Sequence, residues 1–217
     1  MKPNRQNKVS LPLNEAIKRD LVFFYNPILI QGLALTPAIA ATTTLKNSVI
    51  LSIAIFLIVT PTRLLSELLL SWLKVPRIRA VVYVMISGII YIPAFLLLNS
   101  LFGTDIVGPG IYLPMLAVDG LVISRFELPT RESAWLALKN GLNTSLGAAI
   151  VLLLLGAVRE ILSLGTIYGV ILTENPLLSS AGTIPVGIIL VAVFAAAFQC
   201  AVGIYKREHF ILEAKNE

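Results

Sequence analysis

Of the 217 residues 57% are hydrophobic and only 13% charged, with a mean hydropathy of +0.87, which excludes an ordinary water-soluble domain. The net charge of +5 is spread over loops between apolar runs and builds no separate basic module, so nucleic acid does not explain it. The chain reads as an all-α integral membrane protein.

Residues 1–25 open the chain as a polar tail, too polar for a cleaved signal peptide because the first apolar run begins only after Asp20. Within it, Leu13 to Tyr25 reads as a short amphipathic helix lying on the membrane surface, with Asn14 as a cap and Leu13, Ile17, Leu21 and Phe24 along one face. The alternative is a polar tail with no fixed structure. Six apolar stretches then approach the roughly 20 residues a membrane helix needs: 26–45, 48–73, 79–102, 108–124, 141–162 and 183–205.

The first and fourth stretches, Asn26 to Thr44 and Gly108 to Arg125, carry a central proline, Pro37 and Pro114 respectively. Both read as membrane helices broken at mid-membrane. Interrupted segments in corresponding positions of two halves point to a midplane site in an inverted-repeat membrane protein. Backbone released from helical hydrogen bonding is tolerated at that depth only where protein buries it or a cavity meets it.

The second stretch is long and carries Pro61, Arg63 and Glu67. Arg63 and Glu67 stand four apart on one helical face, which suits a structural ion pair, with an ion path as the alternative. Between the fifth and sixth stretches, Ser163 to Gly182 is rich in Gly, Ser, Thr and Pro and suits a lid or partner-contact loop. Residues 206–217 form a second polar tail, in which His209 is expected to be solvated.

Most of the 17 Lys and Arg residues fall in four clusters, around Lys2 to Arg19, Lys74 to Arg79, Arg125 to Lys139 and Lys206 to Lys215. With six spans these share one side, and the positive-inside rule puts both termini in the cytoplasm. Three spans per half, 26–102 and 108–205, make the halves enter the membrane from opposite sides, as two inverted three-helix repeats require.

Asn26-Pro27-Ile28-Leu29-Ile30-Gln31, followed by Leu35-Thr36-Pro37, resembles the opening of a membrane-subunit family of the Rnf electron-transport complex and the Na+-translocating NADH:quinone oxidoreductase (Nqr). Further matches are Ile78 with Tyr83-Val84-Met85-Ile86, Pro114 with Arg125 and Glu127, and Leu155-Gly156 with Arg159-Glu160-Ile161 and Gly165-Thr166. The Tyr-Val-Met-Ile and Arg-Glu-Ile…Gly-Thr runs are closest to the branch that holds the E-type Rnf and D-type Nqr membrane proteins. The resemblance implies six spans in two inverted repeats and a bacterial or archaeal cytoplasmic membrane. It implies an inverted sister subunit and other Rnf/Nqr-type subunits as partners, with flavins on those subunits. It also implies a [2Fe-2S] cluster held between two cysteines of each sister, one from each broken helix.

At the family's cysteine positions this chain has Thr36 and Gly120. Such a cluster is held by thiolates, and neither a hydroxyl nor a hydrogen replaces one. Cys200, the one cysteine, lies late in the sixth stretch and reads as a small hydrophobe. No cofactor is therefore expected through this chain's own side chains.

Asp119 stands where the family has Asn, in an otherwise apolar segment. An intramembrane carboxylate suits Na+ or proton handling beside unwound backbone, or else it bonds the N–H groups freed at the break. Gln31 is expected to bridge to the opposing half-helix. Thr36 and Thr42-Thr43-Thr44 are expected to satisfy backbone at the first break. Arg159-Glu160 reads as an interfacial pair, with a docking role in the complex as the alternative.

No nucleophile triad, phosphate loop or dinucleotide fingerprint is present in the sequence, so redox chemistry must come from partner subunits. The reading is a subunit, non-catalytic alone, of an Rnf/Nqr-like ion-translocating complex. The alternatives are a small-molecule or ion transporter that kept the inverted-repeat fold after losing redox function, and a purely structural assembly subunit.

Overall fold

A computed structural model describes residues 26–73, 79–123, 133–173 and 176–215. The amphipathic helix expected over Leu13 to Tyr25, and the matches at Ile78, Arg125 and Glu127, lie outside them. Among the described residues four helices are long and apolar enough to cross a membrane: Leu45–Leu70, Val81–Val107, Ala134–Leu164 and Ile184–Ile204. They correspond to the second, third, fifth and sixth apolar stretches. The first and fourth are broken into short pieces, as the sequence suggests.

The first broken segment turns through residues 27–34 and forms only the short helix α1, Leu35–Ala40, before the long helix α2, Leu45–Leu73. Helix α3, Arg79–Phe102, ends in a 3₁₀ turn, Gly103–Val107. The second broken segment comprises α4, Tyr112–Met115, a 3₁₀ turn at Leu116–Val118, and α5, Gly120–Ile123. Helix α6, Ala134–Leu164, starts on Ser133, whose hydroxyl accepts the Leu136 N–H. A two-stranded antiparallel ribbon follows, β1 Thr166–Ile167 against β2 Val170–Ile171, paired Thr166 to Ile171 and Ile167 to Val170. Helix α7 runs from Ile184 to Lys215, so the helix continues through the stretch expected to be a tail from residue 206.

The prolines do not sit at the breaks. Pro37 and Pro114 are each the third residue of a short helix, where a missing N–H leaves no helical bond unmade. The chain breaks instead at Gly32 to Ala34, where Gly32 and Ala34 have φ of 68° and 54°, and at Asp119, which is extended with φ −70° and ψ 155°.

Helices α2 and α6 form the centre and run antiparallel. Gly156 lies against Ser48 and Thr44 at one end, and Gly141 against Thr60 at the other. A Cβ on Gly156 would fall 2.7 Å from Ser48 Cβ, so the crossing needs glycine there. Small residues at such contacts let backbones approach and gain dispersion contacts that lipid cannot replace. Around this pair the packing is reciprocal: α3, of the first half, lies on α5 and the Leu116–Val118 turn of the second. Helix α7, of the second half, lies on α1 of the first. The outer faces of α3 and α7 stay exposed and apolar, with Met85, Ile89, Leu96, Ile188 and Val193 among them, as lipid-facing helices require.

Candidate functional site

The two breaks meet at one carboxylate. Asp119 Oδ1 accepts the Leu121 N–H at 3.1 Å, capping α5 in its own segment, and the Ala34 N–H at 2.9 Å from the other. Ala34 sits immediately before α1 in a left-handed conformation that a residue with a Cβ adopts at a cost of roughly 1–2 kcal/mol. The bond to Asp119 holds that strained junction in place. Of the two readings of Asp119, its bonds to N–H groups freed at the breaks are present, while Oδ2 has no hydrogen-bond partner among the described residues.

Thr36 and Gly120 flank this bridge, two residues after Ala34 and one after Asp119. Thr36 is exposed and Gly120 partly so, with its Cβ position 3.0 Å from Leu33 Cδ2. Pro114 is exposed and Pro37 buried. Around them Leu35, Met115 and Val118 are exposed too, so the broken helices present an apolar face. The structure thus brings together Thr36, Gly120, Asp119 and the two proline-bearing helices. Gln31 lies in the preceding turn, its backbone N–H on Asn26 O.

A second cross-chain bond comes from Asn26, whose Nδ2 donates to Gly147 O at 2.9 Å while its Oδ1 accepts the N–H groups of Ile28 and Leu29. Gln199 of α7 adds a third, donating to Leu29 O at 3.1 Å. Its neighbour Cys200 is exposed and not the buried small hydrophobe expected of it, because α7 turns this face outward.

Arg159 and Glu160 do not form a pair; they point to opposite ends of the turn that joins α1 to α2. Arg159, with no exposed surface, donates to Ile39 O and Thr42 Oγ1 at the end of α1, and to Ala181, Gly182 and Thr183 carbonyls before α7. Glu160, also buried, accepts the Leu45 N–H at 2.6 Å at the start of α2, and the Thr166 hydroxyl and Gly169 N–H of the ribbon. A cation on carbonyls at a helix C-terminus and a carboxylate on an N-terminal N–H each suit the local dipole. Thr43 and Thr44 complete the turn, their hydroxyls accepting from the Asn47 side chain and backbone.

Arg63, in the first half, also reaches across to the other half. Its Nη1 donates to Asn140 O at 2.8 Å and Thr144 Oγ1 at 2.7 Å, both in the second half, while Glu67 accepts the Tyr83 hydroxyl at 2.7 Å. Each arginine therefore bonds a carbonyl and a threonine hydroxyl of the opposite half. Sequence reasoning notes all four charges and misses the arginines' partners in the opposite half, because spacing along one helix gives no sign of residues 77–120 positions away.

The model of the family described as "Rnf-Nqr subunit, membrane protein" matches residues 16–205. The chain belongs to the Rnf-Nqr membrane subunit family. It is 38% identical over 145 residues to the E subunit of the ion-translocating oxidoreductase complex of Shewanella oneidensis, covering 66% of this chain and 62% of that protein. Proteins of the same name from Shewanella sp. strain ANA-3 and Shewanella baltica are 37% and 36% identical over equal shares. The chain thus matches less than two thirds of the length of these relatives.

The [2Fe-2S] cluster that the resemblance implies does not fit the two positions that would hold it. Thr36 offers a hydroxyl and Gly120 no side chain, where thiolates are needed. Among the described residues no group of three or more His, Cys, Asp and Glu is placed to hold a metal ion.

Proposed function

We propose that this chain is a membrane subunit of an Rnf/Nqr-like ion-translocating electron-transport complex, and that its broken-helix face meets an inverted sister subunit. The observation that carries this reading is the Asp119–Ala34 bridge beside an exposed, apolar surface centred on Thr36 and Gly120. Leu35, Thr36, Met115 and Val118 stay exposed beside the buried Ala34, a face left for a partner to cover. Electrons, on this reading, pass through flavins on partner subunits, and this chain supplies no cluster ligand of its own.

On this reading the chain makes six spans as two inverted three-helix repeats, which the packing of the four long helices and the two broken segments supports. Antiparallel α2 and α6 and the exchange of α3 and α7 between halves are what such a repeat would produce. Both termini lie in the cytoplasm by the charge of the loops, in a bacterial or archaeal cytoplasmic membrane. Units 26–102 and 108–205 are the repeats, with residues 1–25 and the end of the chain on the cytoplasmic side.

A specific observation also favours an ion-handling role for Asp119, with Gln31, Pro37 and Pro114 lining the same break. Its Oδ2 is left for a hard cation or a proton, while Oδ1 holds the fold. Purification of the tagged chain in mild detergent tests the assignment. Co-purification with flavin-carrying and NADH-oxidising subunits is expected; a chain that purifies alone and transports a solute in vesicles would replace the reading with the transporter alternative.

A further inference from the structure

The buried apolar residues fall into two clusters along α2 and α3. One includes Ile50 to Val59 of α2 with Ala94 and Leu98 of α3; the other is Leu70 with Val82 and Tyr83. Between them the buried positions of α2 are Thr60, Thr62, Arg63, Ser66 and Glu67, and the stripe of α3 that faces α2 carries Ser87. The Glu67–Tyr83 hydrogen bond fixes the register of the antiparallel pair. At 1.5 Å per residue Ser87 then lies level with Arg63, within about a turn of both Thr62 and Ser66.

The hydroxyls of Thr62, Ser66 and Ser87 are buried with no hydrogen-bond partner among the described residues. This is not the habit of the molecule. Thr42, Ser48, Ser52 and Thr144 each turn their hydroxyl back to the carbonyl four residues earlier, the ordinary solution for serine and threonine in a helix. Three hydroxyls that forgo it, at one level of a buried polar layer inside a membrane protein, point to a guest that bonds them. Buried water makes about three hydrogen bonds to polar groups that are otherwise unsatisfied.

We propose that Thr62, Ser66 and Ser87 hold ordered water in a polar layer between α2 and α3, hydrating the Glu67–Tyr83 hydrogen bond inside the membrane. The site is separate from the broken helices and does not depend on the function assigned to them.

Hydroxyl-radical footprinting of the full chain in its native complex, after rapid mixing into heavy-oxygen water, tests this. Radicals from slowly exchanging internal water should oxidise Tyr83 and Leu70 with ordinary oxygen, despite their burial. Leu98, equally buried in the dry cluster, should stay unlabelled. The Thr62→Val/Ser66→Ala/Ser87→Ala variant should lose the Tyr83 signal, and Ser87→Ala alone should reduce it if the triple variant does not fold. Labelling of Tyr83 no stronger than that of Leu98 would overturn the proposal. So would a rise in melting temperature on Thr62→Val, the result expected of an orphaned hydroxyl.

Discussion

Asp119 accepts the backbone N–H of Ala34 across 85 positions of sequence at 2.9 Å, so one side chain ties together the two interrupted segments of this membrane protein. The same oxygen caps α5 through Leu121. The carboxylate is thus both a structural bridge and a charge beside the exposed face of the broken helices.

These roles separate by substitution. Asp119→Asn keeps an oxygen able to accept both N–H groups, so melting of the purified chain should change little. Asp119→Ala leaves both without a partner and should cost about 2–4 kcal/mol, since each lost charge-assisted bond is worth roughly 1.5–3 kcal/mol and the losses overlap. If Oδ2 serves a cation or proton, Asp119→Asn should abolish the Na+ or proton dependence of the assembled complex. Unchanged ion dependence would leave the bridge as its sole role.

For Arg159, lysine is not a conservative replacement. The guanidinium donates to five acceptors on α1, Thr42 and the turn before α7, and an ammonium has only three donors on a different geometry. Arg159→Lys should destabilise the chain by about 2–4 kcal/mol, with each buried acceptor left unpaired costing roughly 1–3 kcal/mol. Thermal unfolding in detergent measures it, and an unchanged melting temperature would refute the bracing role.

The close crossing of α2 and α6 predicts that Gly156→Ala is harmful although alanine is the better helix former. The added methyl meets Ser48 Cβ, and overpacking of this kind costs about 1–3 kcal/mol. Combining it with Ser48→Gly should recover part of the loss. Equal stability of Gly156→Ala and the parent chain would contradict the crossing.

Much of this is legible in the residues. Four long apolar runs become four long helices, and the two runs with central prolines read as broken and are. The breakpoints themselves are not legible, because proline marks where a helix lacks a donor and tolerates it best in a first turn, while the left-handed Ala34 and extended Asp119 are set by contact with each other. Arg159 and Glu160 look like a pair because they are adjacent. On a helix adjacent side chains diverge by about 100°, which sends one to the end of α1 and the other to the start of α2. The family positions Thr36 and Gly120 are legible by resemblance, and the fold sets each beside the Ala34–Asp119 bond.

Iron and acid-labile sulfide should be absent from the purified chain, because hydroxyl and hydrogen stand at Thr36 and Gly120. In the assembled complex any [2Fe-2S] cluster should keep all its ligands on partner subunits. Stoichiometric cluster bound by this chain alone would contradict that expectation.

A photo-crosslinking amino acid at Thr36, activated in native membranes, tests the central claim most directly. The account predicts an adduct with a second multi-span Rnf/Nqr-type subunit, and none with protein from Ile89 on the outer face of α3. Adducts from Thr36 to lipid alone, or to a second copy of this chain, would contradict it.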